Sequence, residues 1–65
     1  MGANLYPALV RLLLDAGCSF VRHGKGSHEI WFSPITNRKF TVPKNTTVIH
    51  TANSVLRDAG LLKSF

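Results

Sequence analysis

The run Arg22-His23-Gly24-Lys25-Gly26-Ser27-His28 constrains what this chain can fold into more than any other segment. It lies between two stretches rich in Phe, Val, Ile and Trp, residues 19–23 and 27–33, which read as strands. Gly24-Lys25-Gly26 reads as a three-residue hairpin loop. A loop that short joins only antiparallel neighbours.

The rest of the chain is read outward from that hairpin. A second turn at Ser33-Pro34-Ile35-Thr36-Asn37 precedes a third strand over 38–42, which Pro43 ends. Upstream, Leu5, Leu9, Leu12, Leu13 and Ala16 recur at helical spacing. Asn4 can cap this helix, Pro7 is tolerated in its first turn, and Gly17 suits the position past its end. A helix over 5–16 follows. Downstream, Ala52, Val55, Leu56 and Ala59 form a second amphipathic helix, stopped by Gly60 and capped by Thr47 or Thr51. The order α-β-β-β-α is an α+β fold, a three-stranded antiparallel meander with two helices on one face. With 65 residues and no repeat or linker, one domain over 1–65 is expected. A domain this small buries only about 60% of its unfolded surface.

Register divides the residues between faces. With Gly24-Lys25-Gly26 as the loop, His23 lies opposite Ser27, Arg22 opposite His28 and Phe20 opposite Ile30. Phe20, Arg22, His28, Ile30 and Phe32 then share one face, whose apolar part is expected to meet the helices. Phe40 and Val42 are required on that same face, which brings Pro43 and Lys44 beside His28. The other face carries His23, Ser27, Glu29, Trp31, Lys39 and Thr41 and is expected to be the wetter one.

Eight Lys/Arg against three Asp/Glu give a net charge of +5, which favours an anionic partner, nucleic acid or an acidic protein surface. The longest apolar run, Leu12-Leu13-Leu14, is far too short to span a bilayer. The start Met1-Gly2-Ala3-Asn4 lacks a basic segment leading into an apolar one. Tyr6 stands where a myristoylation signal carries Ser or Thr. A cytoplasmic protein without a membrane partner is expected. The single cysteine, Cys18, permits no internal disulfide and reads as a small buried side chain.

His28 is the first candidate for chemistry, because imidazole exchanges protons near neutral pH. RNA carries its own nucleophile, the 2′-hydroxyl, so cleavage needs only proton transfer, in-line positioning and charge stabilisation. His28 can supply the first, and Arg22, Lys25 and Lys44 the last. Gly26 and Ser27 allow a close backbone approach, and the Ser27 hydroxyl can donate to phosphate. The same spacing also fits a partly buried strand histidine beside a solvated basic turn. His23 is expected on the opposite face from His28, and His50 reads as a surface residue. No carboxylate or cysteine spacing supports a zinc site, and no metal or cofactor is expected. Trp31 and Phe32 can stack on bases, although Phe32 reads as core. Arg38 and Lys39 are either solvated charges or phosphate contacts.

Gly17-Cys18-Ser19-Phe20-Val21-Arg22 followed by Lys25-Gly26-Ser27-His28 resembles the hallmark of HicA-type toxins, also described as YcfA-like. These are small mRNA interferases of bacterial and archaeal toxin–antitoxin pairs. Thr41-Val42-Pro43 is similar to that family's strand into a Val-Pro turn, and Thr51-Ala52-Asn53 through Ala59-Gly60-Leu61 to its terminal helix. The resemblance runs from about Leu5 to Leu62. It implies a double-stranded-RNA-binding-domain-like fold, metal-independent endoribonuclease activity on mRNA, and inhibition of translation and growth. It implies His28 as the catalytic residue, and a HicB-type antitoxin that covers the active site. Many members carry a second His shortly after the Val-Pro element, where this chain has Lys44 and Asn45. The residues themselves leave two other readings open, a non-catalytic RNA-binding module and a protein-interaction domain whose basic surface docks an acidic partner.

Overall fold

The computed structural model describes residues 4–65; the start of the chain read above for a leader and an acyl site, Met1 to Ala3, lies outside them. Its elements are α1 (Tyr6–Asp15), β1 (Ser19–His23), β2 (His28–Ser33), β3 (Arg38–Pro43) and α2 (Ile49–Asp58). The strands form one antiparallel sheet in the order β1-β2-β3. The expected α-β-β-β-α architecture is borne out.

Local chemistry explains the ends of the helices. The Asn4 side-chain oxygen accepts the Tyr6 N–H at 3.1 Å, satisfying an orphan donor of the first turn. Cys18 N–H donates to the Leu13 carbonyl at 2.9 Å and Gly17 N–H to Leu14 at 3.0 Å, a Schellman closure of α1. Leu61 N–H to Leu56 at 2.8 Å and Gly60 N–H to Arg57 at 2.9 Å close α2 in the same way. Its start departs from expectation: neither Thr47 nor Thr51 caps it, and the extended Val48 precedes the first turn without a side-chain cap.

The helices cover one side of the sheet. Leu9 and Leu13 of α1 and Val55, Leu56 and Ala59 at α2 join Cys18, Trp31, Phe40 and Val42 in a single core. A fully buried Leu contributes about 1.5–3 kcal/mol, so these few side chains hold most of the fold.

Which face is covered is a correction to the sequence reading. Burial alternates along β2, with Glu29, Trp31 and Ser33 buried, Ile30 and Phe32 half-buried, and His28 exposed. Trp31 pairs with Phe40 and Glu29 with Val42, so the helices meet the Glu29–Trp31–Ser33 face. His28, Ile30, Phe32, Lys39 and Thr41 lie on the opposite, uncovered face. The register follows from the second turn. Residues 34–37 form a four-residue connection, with Asn37 at φ +57°, which pairs Ser33 with Arg38. That alignment sets Phe40 and Val42 against Trp31 and Glu29, away from His28.

The first hairpin is displaced as well. Just past the end of β1, the Gly24 N–H still donates to the His28 carbonyl at 2.8 Å, which leaves Lys25-Gly26-Ser27 to make the turn. His23 therefore faces Glu29 rather than Ser27, and Arg22 faces Ile30 rather than His28. An irregularity between Phe20 and Arg22 takes up one residue, Val21. It turns Phe20 to the helix side, opposite Trp31, instead of leaving it with Ile30.

Candidate functional site

The site is built on the loop that opens β2. Lys25 carbonyl accepts the His28 N–H at 3.1 Å, closing a tight turn over Gly26 and Ser27. Gly26 has φ +61°, a conformation an L side chain rarely adopts, and a Cβ there would meet nothing within 4 Å. The backbone shape of the loop therefore favours glycine at position 26, with open space in front of it. Lys25, Gly26, Ser27 and His28 are all exposed.

Two further strands complete the surroundings. Pro43 pairs with His28 across the sheet. Immediately after it, Lys44 N–H donates to the Ser27 carbonyl at 2.9 Å, and Lys44 carbonyl accepts from the Asn4 side-chain amide at 3.1 Å. The expectation that Pro43 and Lys44 stand beside His28 is met. Arg22, paired with Ile30, shares the open face with His28. Ile30 in turn lies against Gly24, where an added Cβ would stand 3.3 Å from Ile30 Cδ1.

Not every candidate gathers there. Lys39 pairs with Phe32 on the same open face, but four residues along β2 from His28, a span of about 13 Å. His23 pairs with Glu29 and so faces the helix side, its ring 5.2 Å from that of Phe20. His50 is exposed in the first turn of α2. Phe32, read as core, is half-buried on the uncovered face, while Trp31 is the ring that belongs to the core.

The sequence reading missed a polar hub directly behind the site. Glu29, next to His28, is only 5% exposed. Its Oε1 accepts from Tyr6 Oη at 2.6 Å and from Trp31 Nε1 at 3.0 Å. Burial pushes the Glu29 carboxyl up, but the Tyr6 and Trp31 hydrogen bonds, with Lys44 and His23 nearby, outweigh it and hold it below the ordinary value. Tyr6 moves the other way, up to about 12, through burial first and then the bond to the Glu29 carboxylate. The hub ties the start of α1 to β2, the strand that carries His28. Its signal was the period-2 pair Glu29 and Trp31, which the expected hairpin register put on the wetter face.

Chemically, the arrangement offers a solvent-facing imidazole, an open glycine turn and cations from three parts of the chain, a combination suited to an anionic, protonatable ligand. No curated protein and no solved structure matches the chain significantly. Residues 7–61 match the family described as HicA toxin of bacterial toxin–antitoxin systems, a span reaching from the first turn of α1 past the end of α2 and including the whole hairpin. The chain belongs to the HicA toxin family, the mRNA interferases of bacterial toxin–antitoxin systems.

Proposed function

We propose that His28 is the general acid or base of a metal-independent endoribonuclease site that cleaves mRNA. The observation that carries this reading is the company His28 keeps. It is exposed at the end of the Lys25-Gly26-Ser27 loop, with Lys44 anchored to Ser27 and Arg22 on the same face. In the reaction the RNA 2′-oxygen attacks the adjacent phosphorus as its proton leaves, and the 5′-oxygen departs as it gains one. His28 handles one of these protons. Lys25, Lys44 and Arg22 offset the charge on the phosphoryl oxygens, while Gly26 and Ser27 let the backbone and a hydroxyl approach them. Lys39, farther along the face, holds the RNA backbone away from the cleaved bond.

The family brings a HicB antitoxin as partner. A HicB-type antitoxin that covers the loop and His28 would block the site directly, and an acidic contact surface would suit the surplus of Arg22, Lys25 and Lys44 there.

The test compares cleavage of a single-stranded mRNA by wild type and His28→Ala with EDTA present, after circular dichroism shows both folded. The expected loss in the variant is about 100- to 10,000-fold. Equal cleavage by both proteins would remove His28 from the mechanism. RNA binding without cleavage by either would leave an RNA-binding module.

A further inference from the structure

The helices leave one whole face of the sheet bare, and its composition is selective. From β1 it presents Ser19 and Arg22, from β2 His28, Ile30 and Phe32, and from β3 Lys39, Thr41 and Pro43. Antiparallel sheets commonly present polar residues on their solvated side. Here the central strand instead carries two half-buried apolar side chains, Ile30 and Phe32, that no helix packs against. Cations stand on the flanking strands, Arg22 beside Ile30 and Lys39 beside Phe32.

No carboxylate reaches this face. The chain has three acidic residues. Glu29 is buried on the helix side, and Asp15 and Asp58 end the two helices. A surface with an apolar, aromatic centre, cationic flanks and no anion is complementary to a polyanion whose bases are free to lie flat. That describes single-stranded nucleic acid. A duplex keeps its base faces stacked inside and has only phosphate and groove edges to offer.

We propose that the open sheet face is a single-stranded RNA platform continuous with the His28 site. Bases rest on Phe32 and Ile30, and the backbone passes Arg22 and Lys39. The platform rests on the RNA-cleaving reading of His28 and adds to it a footprint. The nucleotides to one side of the cleaved bond are held unpaired along β2 for about 13 Å, so selection of unpaired RNA is built into the sheet rather than into the loop.

The test measures binding of a labelled single-stranded oligoribonucleotide of about eight nucleotides, and of the same sequence in a duplex, to the His28→Ala protein. In that background Phe32→Ala is expected to weaken single-strand binding roughly 5- to 150-fold, with Phe32→Tyr restoring it. Lys39→Gln and Arg22→Gln each lower the salt dependence by about one ion. Arg11→Gln and Arg57→Gln, exposed on the helix layer, leave affinity unchanged. Circular dichroism of each variant guards against misfolding, and Lys39→Gln, an exposed substitution, tests the same face without touching packing. A folded Phe32→Ala protein that binds like its parent overturns the platform, as does a duplex bound as tightly as the single strand. Absence of RNA binding at low salt overturns it too. Loss of HicB-type antitoxin capture with RNA affinity intact would assign the face to the protein partner and overturn it as well. The two readings separate cleanly. Phe32-dependent binding without cleavage by wild type keeps the platform and removes the catalytic role, and His28-dependent cleavage with Phe32-independent binding does the reverse.

Discussion

Lys44 reaches the hairpin loop through its backbone: its N–H donates to the Ser27 carbonyl at 2.9 Å, one residue after β3 ends. The Asn4 amide holds the Lys44 carbonyl from the other side at 3.1 Å. Main-chain bonds thus fix where Lys44 sits, and its ammonium is free of that task. Lys44→Gln should leave Tm within a degree or two, weaken RNA binding, and reduce the salt dependence by about one ion. Lys44→Arg should retain both. Lys44→His restores the residue type many HicA-type toxins carry near this point. Under the proposed mechanism it raises cleavage below about pH 7, where imidazole is a proton donor. Cleavage rates of the three variants across pH and salt check this.

Glu29 gives the fold an acid limit. Its folded carboxyl lies below the ordinary range, so the unfolded chain takes up a proton first as pH falls. The stabilisation is complete above the ordinary carboxylate range and is lost as pH drops through the lowered folded value. Glu29→Gln should cost about 1 kcal/mol at neutral pH and flatten the acid limb of a urea-midpoint profile. Tyr6 sets the opposite limit. With its hydroxyl raised from 10.0 to about 12, its contribution holds below pH 10 and disappears between those values. Tyr6→Phe should cost about 1.5–3 kcal/mol and remove that alkaline loss. An unchanged alkaline limb in Tyr6→Phe would mean another group sets it.

The spans of the elements were more legible than the faces their side chains take. β1 agrees with its expected span of 19–23, and α2 buries the expected Ala52, Val55 and Leu56, because side-chain periodicity and glycine stops are local properties. The face assignment failed because it depends on parity. Val21 takes up one residue in β1, and the four-residue turn at 34–37 sets β3 so that Phe40 meets Trp31. Either shift moves side chains between core and solvent, and neither has a signature in the residues of the strand it displaces. Glu29 compounded the error, since its burial depends on Tyr6, 23 residues away. The residues proposed for the site stay together despite these shifts, because His28, Lys25, Gly26 and Ser27 are contiguous and antiparallel pairing brings the end of β3 to them.

Asn4 is expected to be a stability hotspot out of proportion to its exposure. Its Oδ1 accepts from Tyr6 N–H and from Thr46 N–H, both at 3.1 Å, while its amide donates to Lys44. The buried Thr46 hydroxyl donates in turn to the Pro43 carbonyl at 2.6 Å. Asn4→Ala should cost about 1–2 kcal/mol, and Thr46→Val, which keeps the shape and removes the donor, about 1–3 kcal/mol. The two share one network, so the double variant should lose less than the sum. Additive losses in urea titrations would show the sites to be independent.

Gly26 and Gly60 separate two reasons for glycine. Both have positive φ, +61° and +86°, but a Cβ at Gly26 meets open space. At Gly60 it would stand 2.7 Å from Ile35 Cγ2 and 2.9 Å from Thr36 Cγ2. Asn tolerates the left-handed region better than other non-glycine residues. Gly26→Asn should therefore fold with a loss under about 1 kcal/mol, and Gly26→Val with a loss above it. At Gly60 even Ala must shift the Ile35 and Thr36 side chains of the second turn. Gly60→Ala should cost more than Gly26→Ala by about 1–3 kcal/mol. Equal losses at the two positions would mean that backbone conformation alone sets the cost and that the contact of Gly60 with Ile35 and Thr36 yields freely.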